Sequence, residues 1–323
     1  TRMDVLKEIE LQINSIKKFD SSNYLDSIFT HIDRAELYYK QGKSDSNFFN
    51  DVIYRGNQAY EGALKESYKV LADKTEEEVF KQTPNEIEKF FETNNIFRER
   101  VLQLFKNYRQ EWRNKSTHDF KLFFDESEAF IALTSVSSFV HLLLKQIQEK
   151  IAYQTQQKKL TEQKENAEKI NDIVISNSVS PIDKLVNIIV EFSRQNSEQI
   201  YNNKQEISEG EIMGLFHAYI ESVSNLVNTQ REPQFNIGGR HIRPDFLIEI
   251  DNEPLILEFK RMKATGSIIN NSINQVLLYM QATNSKRGMI YYANFNEPNP
   301  EPKIKKNVSI LNDKTYHITI ITT

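Results

Sequence analysis

The spacing of hydrophobic residues changes along this chain, and that change constrains the fold more than any other feature. Up to about residue 150, apolar residues recur three and four positions apart, as in Val101, Leu102 and Phe105, which is the spacing of one helix face. Beyond residue 180 the pattern alternates, as in 246–250 and 255–259, which is typical of strands. The sequence therefore predicts an all-helical N-terminal region and a C-terminal α/β region.

Prolines and small residues divide the chain further. Most of the 8 prolines lie beyond residue 180, and Ser178-Val179-Ser180-Pro181 ends in a proline suited to the start of a helix. The preceding stretch is rich in Gln, Lys and Glu, which is typical of a solvated helix. We predict a multidomain protein with a helical domain over residues 1–150, a helical spacer over 151–180 and an α/β domain over 181–323.

The composition excludes several classes of protein. The chain has no Cys, which rules out disulfides, thiolate zinc sites and cysteine nucleophiles. Hydrophobic residues make up 39%, which is enough for a folded core. No run of eighteen purely apolar residues appears, so we expect no membrane contact and a cytoplasmic location. Because the net charge is -4, contact with nucleic acid requires a local basic cluster.

Charged residues lie at the start of one predicted strand and at the end of the next in the α/β region. The turn-rich tetrapeptide 251–254 predicts a hairpin that places Asp245 opposite Lys260, or within about two residues of that pairing. Glu258 and Lys260 are two positions apart and share one face of their strand. Buried carboxylates need a compensating partner, and a hard divalent cation held by Asp245 and Glu258 would be one. The alternative is an exposed hairpin whose Glu and Lys only pair across the sheet.

Two short motifs in this hairpin resemble the signature of PD-(D/E)XK nucleases, which have a restriction-endonuclease-like fold. The motifs are residues 243–245 (Arg-Pro-Asp) and 258–260 (Glu-Phe-Lys). Downstream, Gln275 and Tyr279 resemble the Gln-x-x-x-Tyr element of RecB-like members of that family, and their spacing places them on one helix face. The resemblance covers roughly residues 205–295 and implies a nuclease that hydrolyses phosphodiester bonds.

The resemblance also implies a metal site that uses Mg²⁺ or Mn²⁺. Asp245 and Glu258 would bind the metal, and Lys260 would orient the attacking water or stabilise charge on the phosphorus. A helical Glu often completes the site in this family; Glu211 is our choice and Glu209 the alternative. One further group would contact the phosphates of nucleic acid: the basic residues Arg240, His241 and Arg243.

A second pair of candidate residues lies in the helical region. Arg113 and His118 provide a fixed cation and an imidazole, which metal-free RNA cleavage requires. With the stretch Ala59–Lys65 and the all-helical context, they resemble the HEPN superfamily and its Arg-x4-6-His motif. This resemblance spans about residues 20–150 and implies a homodimer with a composite RNase site. The alternatives are an inactive dimerisation scaffold, or a His118 that packs a helix turn beside a surface Arg113.

Together these features predict an HEPN-like helical domain joined to a PD-(D/E)XK-like domain that cleaves nucleic acid, with DNA favoured over RNA. Fold-level analogy suggests a role in defence against phage or foreign DNA. A first alternative moves the chemistry to Arg113 and His118 and leaves the C-terminal domain as a nucleic-acid-binding module. A second alternative is a non-catalytic protein that only binds nucleic acid and dimerises.

Overall fold

The structure is a computed structural model that describes residues 4–17, 24–94, 96–114, 123–162, 179–201, 207–222, 227–237, 239–262, 264–293, 302–311 and 313–323. The chain divides into two compact units, Thr1–Ile151 and Ala152–Thr323. Among the described residues the first unit contains helices without strands, and the second contains helices and a mixed sheet. This confirms the predicted layout of a helical N-terminal part and an α/β C-terminal part.

The first unit is built from helices in its described residues. They are α1 (Val5–Lys17), α2 (Tyr24–Gly42), α3 (Phe48–Leu71), α4 (Glu76–Lys81), α5 (Pro84–Asn94), α6 (Glu99–Tyr108), a π-helical turn (Arg109–Arg113) and the first part of α7 (Glu126–Glu162). Local chemistry sets several of their ends. In α4, for example, the Thr75 side chain accepts a hydrogen bond from the Glu78 N–H, and Glu78 caps the Thr75 N–H in return.

An aromatic core joins these helices. The Tyr60 ring lies 5.0 Å from that of Tyr108 and 5.5 Å from that of Phe139, so α3, α6 and α7 pack on one another through ring contacts. The Tyr108 hydroxyl donates to Asn57 Oδ1 at 3.2 Å. A Cβ at Gly56 would lie 2.6 Å from that hydroxyl, so the close approach of α3 requires glycine there.

Helix α7 is the longest helix in the described part of the chain. By length and composition its segment Glu126–Thr161 could cross a membrane, since an 18-residue window reaches a mean hydropathy of 1.5. In the structure 44% of that window is buried. Val136, Phe139 and Val140 belong to the core of the first unit, so this apolar face has a partner within the protein.

The end of α7 differs from the solvated spacer that the sequence predicts. The helix continues to Glu162 as expected, but Ala152, Gln156 and Leu160 are buried. Ala152 and Leu160 belong to the hydrophobic core of the second unit. These residues therefore form part of that unit, since Ala152, Gln156 and Leu160 are four positions apart and lie on one helix face. Residues 163–178 of the predicted spacer lie outside the described residues.

The second unit contains a six-stranded sheet within the described residues, in the order β1-β4-β5-β6-β8-β7. Its strands are β1 (Val227–Arg231), β4 (Phe246–Ile250), β5 (Glu253–Lys260), β6 (Arg287–Tyr292), β7 (Lys303–Leu311) and β8 (Lys314–Thr322), and a separate pair is β2 (Phe235–Ile237) with β3 (Arg240–Ile242). The helices are α8 (Pro181–Gln195), α9 (Ser197–Tyr201), α10 (Glu209–Glu221) and α11 (Gly266–Thr283). Strand β6 is parallel to β5 and β8, and the other pairs of the large sheet are antiparallel.

The hairpin of β4 and β5 confirms the turn predicted at 251–254. Asp251 and Asn252 have φ of 51° and 62°, and Ile250 pairs with Glu253, so a two-residue turn with two left-handed residues joins the strands. Because Phe246 pairs with Leu257, the register extends to place Asp245 beside Glu258. That pairing is two residues from Asp245 opposite Lys260 and lies within the predicted range.

The two faces of the sheet have different partners. Leu255, Leu257 and Phe259 pack in the cluster that includes α8 and α10, whereas Ile256 packs in the cluster that includes α11. Because side chains alternate across a strand, Glu258 and Lys260 lie on the α11 face.

Candidate functional site

The candidate site lies where β5 ends, beside the residue that precedes β4. The run from Leu255 to Leu257 is fully buried, and Glu258 continues it with only 2% of its surface exposed. Asp245, which directly precedes β4, keeps partial access to solvent. A carboxylate inside an apolar strand is unfavourable unless it has partners, so its surroundings define what the site can do.

Backbone groups hold both carboxylates in place. The Phe259 N–H donates to Asp245 Oδ2 at 2.7 Å, and the Asp245 N–H donates to Glu258 Oε2 at 3.3 Å. Each acid is therefore bound by the neighbouring strand of the hairpin. The hairpin register places the two acids side by side.

Lys260 and two residues of α11 complete a hydrogen-bonded chain. Lys260 Nζ donates to Glu258 Oε1 at 2.7 Å. Gln275 Nε2 donates to the same oxygen at 3.0 Å and to the Tyr279 hydroxyl at 2.7 Å. Gln275 and Tyr279 are one helical turn apart on the face of α11 that meets the sheet. The structure thus brings together five residues that the sequence singled out: Asp245, Glu258, Lys260, Gln275 and Tyr279.

The electrostatics of the site show an excess of negative charge. Burial raises the pKa of Asp245 well above its usual range, and the charge of Glu258 raises it further. Burial also raises the pKa of Glu258, against the opposing effect of Lys260. Burial alone would lower the pKa of Lys260, but Glu258 and Asp245 outweigh it and raise that pKa. Lys260 therefore keeps its proton, whereas burial disfavours the ionised forms of Asp245 and Glu258.

The predicted helical acid, Glu211, already has a hydrogen-bond partner in the structure. Glu211 closes a capping box at the start of α10: the Ser208 N–H donates to its Oε2 at 2.6 Å, and its own N–H donates to Ser208 Oγ at 3.1 Å. One oxygen of its carboxylate thus caps the N-terminus of the helix. The alternative, Glu209, is the acid whose charge raises the pKa of Asp245 and Glu258. Its Oε2 accepts from the Arg261 N–H at 3.3 Å, which ties α10 to the end of β5.

The donor set fits a hard divalent cation that keeps most of its water ligands. Asp245 and Glu258 would hold it, because a cation beside them would relieve both burial and mutual repulsion. Within the described ranges, no group of three or more His, Asp or Glu side chains is close enough to enclose a metal. Mg²⁺ is commonly bound through one or two carboxylates, so two acids suffice for it.

The predicted basic cluster lies directly before Asp245. Arg240 and His241 belong to β3, where they pair with Ile237 and Asn236 of β2, and Arg243 follows the strand. His241 is exposed and Arg243 is half-buried. Phe235 and Ile242 pack in the cluster that includes α11. This two-stranded sheet therefore lies on the same side of the large sheet as Lys260.

Arg113 and His118 are described only in part, because His118 lies outside the described residues. Arg113 ends the π-helical turn and donates to Asn114 Oδ1 at 3.0 Å. Its charge also acts on Glu88, a buried acid of α5: burial raises the pKa of Glu88, and Arg113 and then Arg109 oppose that rise. Arg113 thus takes part in a charge network inside the helical unit.

Two features of these sites were missed from the sequence. One is Glu88 with Arg109, which lies 3.9 Å from Glu88 and 2.9 Å from Glu92. The other is Tyr292, which is opposite Lys260 in the parallel pairing of β5 with β6 and is fully buried. Neither has a local sequence signal, since both depend on contacts between segments that are distant in the chain.

No family model, no curated protein and no solved structure matches the chain. The inference of function therefore rests on the chemistry of the site and on the motifs that form it.

Proposed function

We propose that this chain is a metal-dependent nuclease that hydrolyses phosphodiester bonds, with DNA as the favoured substrate. The C-terminal unit would be a PD-(D/E)XK-like domain with a restriction-endonuclease-like fold. One observation carries the proposal: Asp245 and Glu258 lie side by side with raised pKa values, and Lys260 contacts Glu258 but has no described contact with Asp245. Such an excess of acidic groups suits a site that receives a divalent cation. The cation then favours binding of a phosphate.

The chemistry follows from the residues already described. A bound Mg²⁺ or Mn²⁺ would polarise a phosphoryl oxygen and lower the pKa of a bound water. Lys260 stays protonated, because its pKa is raised, and its Nζ is available to stabilise charge developing on the phosphoryl group. Gln275 donates hydrogen bonds to Glu258 and to the Tyr279 hydroxyl. It thereby fixes the position of Glu258, which in turn orients Lys260. His241 and Arg243 would bind the phosphates that flank the scissile bond.

A cleavage panel tests the proposal. Single- and double-stranded DNA and RNA are incubated with Mg²⁺, Mn²⁺ or EDTA, using the wild type, Asp245→Asn and Lys260→Ala. We expect metal-dependent DNA cleavage that falls at least about 10²-fold in both variants, because each removes an interaction with charge formed in the transition state. Asp313→Asn is the matched control, since Asp313 is an exposed turn residue of the same unit.

Two outcomes of the panel would reject the proposal. One is DNA cleavage that persists unchanged in Asp245→Asn and Lys260→Ala. The other is the absence of metal-dependent cleavage of all four substrates by a folded wild-type chain. Equal loss in Asp313→Asn would show that the variants act through folding and not through the site.

A second candidate is metal-independent RNA cleavage by an HEPN-like N-terminal unit. The π-helical turn that ends at Arg113 favours it, because π-helical turns occur frequently at functional sites. RNA cleavage that survives EDTA and is lost in Arg113→Ala and His118→Ala would support this candidate. The same panel separates the two, since the first candidate requires metal and the second does not.

The wider role belongs to the same proposal. A cytoplasmic nuclease that forms a homodimer through its HEPN-like unit would suit defence against phage or foreign DNA. This role rests on analogy between motifs. Sedimentation of the purified chain measures its oligomeric state directly. A monomer at all concentrations would reject the proposed homodimer.

A further inference from the structure

Strand β7 forms one edge of the six-stranded sheet in the described part of the chain. It is nine residues long and pairs on one side with β8, from Lys303 opposite Thr322 to Leu311 opposite Lys314. The N–H and C=O groups on its other side point away from the sheet. An edge of this length is a template for another strand unless it is covered or twisted away.

One face of β7 carries an exposed apolar stripe. Ile304, Val308 and Ile310 are 48%, 59% and 75% exposed, and their even spacing places them on the same face. Ile304 is opposite Ile321, which is fully buried in the cluster that includes α8 and α10. The stripe therefore continues the apolar face of the sheet to its edge. There, no described residue covers the stripe.

The other face carries positive charge. Lys303 and Lys305 lie on it, and in the described residues neither forms an ion pair. The third lysine, Lys306, lies on the apolar face, where its Nζ is 3.4 Å from Asp183 Oδ1. The edge thus presents Ile304, Val308 and Ile310 with Lys306 on one face. Lys303 and Lys305 lie on the other face with Leu311, and neither lysine has an ion-pair partner in the described part of the chain.

These features discriminate among occupants. A second copy would bring three more lysines to the same edge, and lysines on edge strands normally prevent such self-pairing. A nucleic acid would satisfy the lysines but would leave the backbone groups and the apolar stripe unused. An extended peptide uses all three, because its backbone pairs with the edge while its side chains alternate between the two faces.

We propose that β7 binds an extended segment of a partner protein that alternates apolar and acidic residues, which joins the sheet as a further strand. Its apolar side chains lie beside Ile304, Val308 and Ile310. Its carboxylates lie beside Lys303 and Lys305. Binding at this edge is independent of the nuclease proposal, since β7 and the Asp245–Glu258 pair are separated by β6 and β8 in the sheet order.

A labelled nine-residue peptide of alternating Val and Glu, blocked at both ends, is the probe for this site. Fluorescence anisotropy with the full chain should show saturable binding that weakens as salt is added, because opposite charges pair at an exposed edge. The double variant Lys303→Glu and Lys305→Glu should lower the affinity at least tenfold. The control, Lys158→Glu and Lys286→Glu, changes the same charge at exposed positions of the same unit and should leave the affinity unchanged.

Hydrogen exchange locates the contact. The probe should slow exchange of β7 amides in the wild type and leave it unchanged in the Lys303→Glu and Lys305→Glu variant. Equal binding of a peptide with the same residues grouped into a Val block and a Glu block would overturn the proposal, as would absence of binding. Self-association of the chain that is lost in Ile310→Lys would also overturn it and would identify a second copy as the occupant.

Discussion

Each unit of this protein buries a carboxylate, and the two units differ in how nearby charges compensate it. In the helical unit, Glu88 and Glu92 of α5 face Arg109 and Arg113, two acids against two arginines. In the α/β unit the charges of Glu209 and Glu258 raise the pKa of Asp245. Lys260 forms an ion pair with Glu258. A buried acid that faces arginines has its partners within the fold, whereas an excess of buried negative charge needs a cation from outside.

The comparison separates a structural use of charge from a functional one. Breaking the balanced network should mainly affect stability. Removing an acid from the unbalanced site should do the opposite, since it relieves repulsion while it removes function. The predictions below test this difference.

The largest expected effect on stability is that of Arg109→Ala. It removes the partner of Glu92 at 2.9 Å and leaves Glu88, which is 1% exposed, with less compensation. We expect a loss of about 3 kcal/mol in the free energy of unfolding of the helical unit. Chemical denaturation followed by circular dichroism measures it. Lys81→Ala in the same unit, whose side chain is 68% exposed and pairs with Glu77, should change stability by less than about 1 kcal/mol, and equal losses would contradict the prediction.

Metal should stabilise the α/β unit next most strongly. At a Mg²⁺ concentration about 100 times its Kd, the expected gain is about 2.7 kcal/mol. Because the pKa values of Asp245 and Glu258 are raised, protons compete with the metal, and the gain should be larger at pH 8 than at pH 5. Thermal unfolding with and without Mg²⁺ measures this shift. An equal shift in Asp245→Asn would place the metal elsewhere.

Without metal, Asp245→Asn should stabilise the α/β unit. The raised pKa of Asp245 means that its contribution to stability is fully present below its ordinary pKa and is lost as pH rises through the raised value. Asn resembles the protonated form and keeps an acceptor for the Phe259 N–H. The gain should therefore be small at pH 4 and grow toward pH 8, by about 1.4 kcal/mol for each unit of pKa shift. Denaturation in EDTA across this range measures it, and a destabilised variant at pH 8 would contradict it.

Tyr279→Phe should have the smallest effect. It removes the hydroxyl that accepts a hydrogen bond from Gln275 at 2.7 Å and leaves the ring in place. We expect a loss of about 1 kcal/mol in stability. Urea denaturation compares it with Tyr54→Phe, which is 59% exposed and should be neutral. A loss of stability as large as that of Arg109→Ala would contradict this prediction. It would show that the fold of the α/β unit depends strongly on this hydrogen bond.

Local patterns predicted much of the candidate site. The turn at 251–254 and the period of two along β5 were enough to bring Asp245, Glu258 and Lys260 together, and a period of four joined Gln275 to Tyr279. These relations act within a hairpin or one helix turn, where sequence spacing converts directly into distance. The choice between Glu209 and Glu211 stays a prediction, although the spacing of Ser208 and Glu211 is that of a capping box, which the structure contains.

The sequence by itself determined the two-part layout, the alternation of the strands and the charged residues of the hairpin, since each follows from the chemistry of neighbouring residues. Only the tertiary structure decided that Glu88 faces two arginines, that Tyr292 lies beside Lys260, that Ala152 and Leu160 pack into the second unit and that β7 is an edge. These contacts join segments separated by many residues. Their geometry depends on how sheets and helices pack, and no local period specifies that.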